Sequence, residues 1–431
     1  MNDTASCLSG FSVASSGTKE NEESCVDNYD LNEEHCNVDD FESKLETVLD
    51  LLQSSRSGKQ RVQYFKSLNK ALTSRYCADY LENSTILIQD VLEQGLKRSF
   101  KDEIQSAATT LSLIFITMGN SELGESLMRS LHEQLLRIIN DHGANPVVRS
   151  RCALALVLGT FITDFGIDIN SQVVNQLAQI ALSPTKSSGA ASAADCAPMH
   201  MMKAAILEAF SFLLLIESDS FVFDFIEERL PALVQCLDTP NLSVKVAAGE
   251  CIALLVEKSR DANEDFELAM IDEVCVKLQA LATENQKSRS KKELREQRSN
   301  FREILKTVQG GNFGRETVKF GQERLIIQSW EMKRRYDTIC SVVGSGMNLH
   351  LNQNILLRDI FYLGPVLSDS MPIEKISKFR KVCFLNFKMF QFHFFLIINF
   401  FFSQNMVNNL NRRARDLVRG KQRGKRIDCD L

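Results

Sequence analysis

The densest chemistry in the chain lies close to its end, in "NRRARDLVRGKQRGKR" at 411–426. Arg412, Arg413, Arg415, Arg419, Lys421, Arg423, Lys425 and Arg426 crowd into one polar segment. Arg grips phosphates bidentately and stacks on bases, so RNA binding is the chemistry such a segment can do. A nuclear-import tag or a plain solvated tail would look the same in composition. A second basic run carries Lys287, Arg289, Lys291, Lys292, Arg295 and Arg298, followed by Arg302 and Lys306. It reads equally as a solvated helix face or a phosphate-facing surface.

Other chemistry is weaker. "HEQLL" at 132–136 begins like a zinc-protease motif, but Leu136 stands where the second His must be. "GGNFG" at 310–314 and "GSG" at 344–346 lack the Lys-Ser/Thr of a phosphate loop and read as turns between helices. No G-x-S-x-G motif or Cys/His nucleophile arrangement occurs. The expectation is therefore a protein without enzymatic activity, cofactor, metal or small-molecule substrate. Trp330, in "LIIQSWEMKRRY", reads first as a core residue; Arg334, Arg335 and Tyr336 beside it leave a nucleic-acid or protein contact open.

What must position these residues is helical. In "RVQYFKSLNKALTSRY" Val62, Phe65, Leu68 and Leu72 share a face, and Leu127, Leu131, Leu135, Ile138 and Ile139 form a similar stripe. Four segments then look alike: "DEIQSAATTLSLIF", "VVRSRCALALVLGTF", "MHMMKAAILEAFSFLLL" and "VKVAAGECIALLVE". Each sets a small residue three positions before an aliphatic one, at Ala108/Leu111, Ala153/Leu156, Ala204/Leu207 and Gly249/Ile252. The small residues are 45, 51 and 45 apart, the longer interval holding the "SPTKSSGAASAADCAP" loop. A period of that size with a small-residue contact predicts an all-α solenoid of armadillo/HEAT-type repeats. Asn145-Pro146 and Pro240-Asn241 should open two of these helices. A solenoid presents a concave surface to partners rather than a catalytic cleft.

The net charge of −5 hides an uneven distribution. Thirteen acids against Lys19 and Lys44 fill residues 1–50, whereas the last 27 residues hold eight Lys/Arg against three Asp. Residues 1–40 should be a disordered acidic arm. No basic, then apolar, leader opens the chain, and twelve scattered cysteines without C-x-x-C spacing read as reduced thiols, several (Cys152, Cys251, Cys275) serving as small hydrophobes. The expected organisation is the arm, a helical-repeat domain at 41–365 with a basic helix at 286–306, a linker at 366–381, an apolar insertion at 382–404 and a basic segment at 405–431.

The long block "SKKELREQRSNFREILKTVQGGNFGRETVKFGQERLIIQSWEMKRRYDTICSVVGSGMNLHLNQN", followed by "LLRDIFYLGP", resembles the conserved region of the interferon-related developmental regulator family. "KALTSRY" at 70–76 matches the early signature of that family, and the resemblance runs from about Phe41 to Arg426. It implies an armadillo-like body, no enzymatic activity, and regulation of gene expression through transcriptional co-regulatory complexes and ribosome association, in cytoplasm and nucleus. The family ends in a basic segment after K-I-S-[RK]-F, present here as "KISKF" at 375–379. Removing Val382–Gln404 brings "KISKFRK" against "NMVNNLNRRARDLVRGKQRGKR" and restores a family-like ending.

That 23-residue run holds nine of the chain's 27 Phe, and its first and last residues can be encoded by splice-donor and splice-acceptor forms. A translated intron accounts for frame, boundaries and composition together. As a membrane anchor it is interrupted by Asn386, Lys388, Gln391, His393 and Asn399, which are expensive in a bilayer, and a genuine buried helix is the third reading. Two functions remain in view: a ribosome- or RNA-associated regulator whose basic tail reaches RNA, and a nuclear co-regulator scaffold that holds corepressor or activator proteins and uses the tail for import.

Overall fold

The computed structural model describes residues 38–98, 100–163, 166–183, 193–284 and 291–366. The acidic arm up to residue 37, the linker beyond 366, the apolar insertion and the basic segment at 405–431 lie outside the described residues.

Thirteen helices come first: α1 (Val38–Ser54), α2 (Gly58–Ser74), the short α3 (Ala78–Asn83), α4 (Thr85–Lys97), α5 (Lys101–Met118), α6 (Glu122–Asn140), α7 (Pro146–Thr163), α8 (Ile167–Leu182), α9 (Ala193–Leu213), α10 (Asp219–Cys236), α11 (Leu242–Ala262), α12 (Ile271–Thr283) and α13 (Lys291–Val308). A hairpin, β1 (Glu316–Phe320) and β2 (Glu323–Ile327), and then α14 (Trp330–Val343), α15 (Met347–Gln353) and α16 (Ile355–Ile360) complete the described chain. Successive helices pair as α1/α2, α4/α5, α6/α7, α8/α9, α10/α11 and α12/α13. The second members stack directly on one another, in the order α2, α5, α7, α9, α11, α13. This is the armadillo/HEAT-like all-α solenoid, with six units where the spacing of small residues marks four.

The sequence makes two kinds of helix. Outer helices are one-sided: α6 buries Leu127, Leu131, Leu135 and Ile139, is capped by Ser121 Oγ accepting from the Gly124 N–H at 3.2 Å, and carries Glu122 and Glu125 in its first turn. Inner helices are apolar around most of their circumference because they are covered on more than one side. From Val148 to Thr163, α7 buries Cys152, Ala153, Leu156, Val157 and Leu158 alike. It is long and apolar enough to cross a membrane, yet it packs between α5, α6 and α9 as a core helix. Pro146 opens it and Asn145 Oδ1 accepts from the Val147 N–H at 2.9 Å; Asn241 Oδ1 caps α11 through the Val244 N–H at 3.2 Å. Both turn signals do what their sequence predicts.

The repeat contacts sit where the spacing puts them. Ala108, Ala153, Ala204 and Gly249 are buried, as are Leu111, Leu156, Leu207 and Ile252. A Cβ on Gly249 would meet Ile304 at 3.0 Å and Phe301 at 3.4 Å, so the absent side chain admits α13 against α11. Gly159 is tighter: its Cβ would lie 2.7 Å from the Phe115 ring of α5.

Three expectations change. The body is not helical throughout, because β1 and β2 pair antiparallel from Glu316↔Ile327 to Phe320↔Glu323. "GGNFG" therefore leads from α13 into a hairpin rather than into another helix. The interrupting loop before α9 is also shorter than "SPTKSSGAASAADCAP", since α9 already begins at Ala193 and holds Pro198 within it. Finally, α1 starts at Val38, inside the stretch read as an acidic arm.

Candidate interaction surfaces

Contacts between inner helices fix their direction. Gly159 of α7 meets Phe115 of α5, and Phe161 lies 4.3 Å from Phe212 of α9. Lys258 Nζ of α11 donates to the Leu215 carbonyl just past α9 at 3.1 Å, and Arg260 donates to the Thr307 and Val308 carbonyls of α13 at 2.5 and 2.8 Å. Each contact joins C-terminal end to C-terminal end. At the other end, Arg61 Nε of α2 donates to Glu103 of α5 at 2.5 Å, and midway along their helices Asn300 of α13 donates to Glu250 of α11 at 3.0 Å. The six inner helices are parallel, and their N-termini share one edge.

The segment after α13 returns across the inner layer. Trp330 opens α14 and is buried, its Nε1–H donating to Thr307 Oγ1 at 2.8 Å with Phe313 edge-on at 5.0 Å. The Glu257 carboxylate of α11 accepts from the backbone N–H groups of Trp330 and Glu331 at 2.7 and 3.2 Å. It thus sits on the positive end of the α14 dipole. Burial pushes the Glu257 carboxyl up to about 7, against these two N–H groups, which pull it down. One turn on, buried Arg334 donates to Glu250 at 2.9 Å. Burial opposes ionisation of Glu250, but Lys333 and Arg334 outweigh it and hold that carboxyl below its usual range.

From there the chain reaches the first two units. A 3-10 turn, Gly344–Gly346, lies on the C-terminal end of α2. His350 Nε2, kept neutral by burial, donates to the Leu72 carbonyl at 2.9 Å, and Asn354 Nδ2 donates to the Ile116 carbonyl of α5 at 2.8 Å. Arg358 closes the segment with a two-pronged pair to Glu323 at 2.8 and 2.9 Å and bonds to the carbonyls of Leu351, Gly364 and Pro365. Residues 313–365 form an intramolecular strap across α9, α11, α5 and α2. The inner face that the repeat pattern assigns to partners is, over this stretch, covered by the chain itself.

The sequence-derived candidates separate accordingly. Arg334, Arg335, Tyr336 and Trp330 belong to the strap's own packing: Arg335 donates to the Ile360 carbonyl at 3.0 Å, and Tyr336 meets Phe361 at 6.3 Å. They form no stacking platform for bases. Among the second basic run, Lys291, Lys292 and Arg295 are exposed on α13. Arg298 instead ties α13 to α12, its Nε donating to the Glu284 carbonyl at 3.0 Å. Lys287 and Arg289 lie outside the described residues, as do Arg412, Arg413, Arg415, Arg419, Lys421, Arg423, Lys425 and Arg426. Among the described residues no group of His, Cys, Asp and Glu is placed to hold a metal ion. Cys152 and Cys251 are unpaired thiols whose burial pushes them up to about 12 and about 11, so they act as core hydrophobes.

A parallel-stacked helical-repeat scaffold crossed by its own C-terminal strap is the class these features define. The sequence model of the interferon-related developmental regulator family matches residues 6–309. Interferon-related developmental regulator 2 of Mus musculus is 36% identical over 352 residues, 81% of this chain and 80% of that protein. Interferon-related developmental regulator 1 of Sus scrofa is 31% identical over 432 residues, 99% of this chain and 88% of its own length. The chain belongs to the interferon-related developmental regulator family. A designed armadillo repeat protein superposes with a TM-score of 0.35 at 14% identity, covering 61% of this chain and 99% of its own. The family match stops at residue 309, so the strap lies beyond it; the alignment to the pig protein, over 99% of this chain, includes the strap.

Proposed function

We propose that this chain is a non-enzymatic regulator of gene expression that associates with ribosomes or other RNA through its basic C-terminal segment, with the repeat body as scaffold. The observation that carries the reading is the density of eight Lys/Arg in residues 405–431 against three Asp. The strap supports it indirectly. A scaffold that held a corepressor or activator peptide along its inner helices would need the face that residues 313–365 occupy. Contacts through the tail and the open edges need no such displacement. The alternative, a nuclear co-regulator scaffold, then relies on the outer surface for its protein partners. Residence in both cytoplasm and nucleus suits either reading.

Each phosphate contact releases condensed counterions, giving a salt slope of roughly 0.7 per phosphate on single strands, or about 3 to 4 for five contacts. Changing Arg412, Arg413, Arg415, Arg419 and Arg423 together to Glu removes that attraction and adds repulsion. The expected result is loss of ribosome co-sedimentation at physiological salt with an unchanged melting temperature. A reversed chain that still co-sediments, or co-sedimentation of the natural chain that survives RNase and high salt alike, sinks the reading.

A further inference from the structure

Acids belong at helix N-termini, where the backbone leaves partial positive charge. Four outer helices follow this rule, with Glu122 and Glu125 on α6, Asp168 on α8, Asp219 on α10, and Asp272 and Glu273 on α12, while α4 has no acid in its first turn. Three inner helices break it, whereas α5 carries Asp102 and Glu103 and α13 carries Glu293 in their first turns. No acid stands in the first turn of α2, α7 or α11, and Lys59, Lys101, Lys245, Lys291 and Lys292 stand in or at the first turns of α2, α5, α11 and α13. Glu103 of α5 is consumed by Arg61, and Glu284 and Asp238 near this edge are engaged by Gln297 and Lys277. Asp102, Asp141 and Glu293 are further exposed acids on this edge, and Lys292 lies 3.8 Å from Glu296. Helix stability does not ask for bases here, so their presence calls for another cause. Because the inner helices are parallel, these cations lie on a single edge, in two groups at α2/α5 and α11/α13, with α7 and α9 between them supplying none.

The charge is densest where the first two units meet. The α1–α2 turn touches the α4–α5 turn: Arg98 donates to the Arg56 carbonyl at 3.4 Å, and Gly58 leaves a gap only 3.2 Å from the Phe100 ring for any Cβ. Arg56, Lys59, Lys97 and Lys101 are exposed around Phe100, which is itself 38% exposed. In the first turn of α2, Arg61 is fully buried, and its two terminal guanidinium nitrogens have no partner among the described residues. Glu103 Oε2 beside it is likewise without a hydrogen-bond partner among the described residues, so the positive surplus at this corner is carried by the exposed Arg56, Lys59 and Lys101.

We propose that this edge, centred on Arg56, Lys59, Phe100 and Lys101, is a docking track for the phosphodiester backbone of single-stranded RNA. At about 8–10 Å between neighbouring helices, the α2 and α5 N-termini hold their cations close enough to engage successive charges of a linear polyanion. An exposed aromatic ring among cations provides the stacking that sequence-tolerant RNA binding uses. The choice of RNA rests on the function proposed above; the existence of the track does not. The strap crosses nearer the C-terminal ends of α2, α5 and α11 and leaves this edge open.

The test uses the full chain with the five tail arginines already reversed to Glu, and fluorescently labelled oligouridine at low salt. This chain should still bind. Adding Arg56→Glu, Lys59→Glu and Lys101→Glu should lower the log–log salt slope by about 2, at roughly 0.7 per lost phosphate contact. Phe100→Ala should weaken binding with no change in that slope. The triple variant should melt no lower than its parent, because two of its new acids sit at helix N-termini; if it misfolds, Lys59→Gln with Lys101→Gln should give part of the slope change. Unchanged binding by these variants, no binding by their tail-reversed parent, or equal displacement of oligouridine by polyglutamate overturns the proposal. Ribosome co-sedimentation that persists after tail reversal alone would instead sink the tail reading and leave the track standing.

Discussion

Gly346 offers the sharpest test of the strap. Its φ of −75° is open to any residue, so backbone strain does not require glycine there. Space does. A Cβ at Gly346 would lie 1.9 Å from the Thr73 carbonyl oxygen and 2.9 Å from its carbon. Both are backbone atoms at the end of α2 and cannot swing aside. To reach even a tight contact the turn must lift by about 1 Å, which is overpacking of the kind that costs 1–3 kcal/mol and sometimes more. The bond from His350 to the Leu72 carbonyl, four residues on, would stretch with it, and a buried polar group left unpaired costs about 1–3 kcal/mol. We expect Gly346→Ala to weaken strap docking by about 3 kcal/mol, read as faster amide exchange across α15 and α16 with exchange in α7 unchanged. Gly344 is the control: it has a φ of 56° but open space around its Cβ, so Gly344→Asn should be mild. Native exchange rates for α15 and α16 in Gly346→Ala would refute the assignment of the strap to the α2 surface.

The remaining predictions use other contacts. Ala153→Leu should overpack the buried face of α7 and cost about 1–3 kcal/mol in chemical denaturation; a neutral result would remove the small-residue contact from the repeat. The Glu257 carboxyl is raised to about 7 by burial, from 4.5, with Asp261 and Glu331 adding repulsion, so its contribution to stability is complete below pH 4.5 and is lost as pH rises through 7. The melting temperature should therefore fall between pH 5 and 8 and Glu257→Gln should flatten that slope, which an identical pH profile in the variant would contradict. Deleting Val382–Gln404 should raise solubility and preserve partner binding; finding that segment in mature transcripts from several tissues would refute its origin as a translated intron.

The repeat was legible because it is local and periodic. An Ala or Gly every 45 to 51 residues, three positions before a large aliphatic, is a packing requirement repeated in each unit, and the burial of Ala108, Ala153, Ala204 and Gly249 follows from it. The outer units α1/α2 and α12/α13 lack that pair in register, so six units looked like four. The hairpin left a signal that helical periodicity obscured: Val318, Phe320, Leu325 and Ile327 alternate about Gly321 and Gln322, and Gly321 has a φ of 50°. The strap left almost none. Its anchors join residues far apart in sequence, His350 to Leu72 and Asn354 to Ile116, through single side chains that accept no pattern because their partners are backbone carbonyls.

That difference bears on how such a scaffold meets its partners. Apolar periodicity reports what the chain must hide from water, and here it hides both flanks of the inner layer, one under outer helices and one under the strap. What is left for partners is defined by charge, which periodicity of apolar residues does not register. The two edges of the stack differ in composition: outer-helix N-termini present Glu122, Glu125, Asp168, Asp219, Asp272 and Glu273, and inner-helix N-termini present Lys59, Lys101, Lys245, Lys291 and Lys292 together with Asp102, Glu103 and Glu293. The acids gain from the helix dipole and need no other reason to be there. The lysines oppose it, each by roughly 0.3–1 kcal/mol at an exposed site. A polyanion laid along the edge would turn that opposition into attraction, because the dipoles and the lysines then act on it with the same sign. An RNA contact at the α2/α5 corner is in this sense a stabilising ligand for both of those N-termini, and binding should raise the melting temperature of the natural chain while leaving that of Arg56→Glu, Lys59→Glu, Lys101→Glu nearly unmoved.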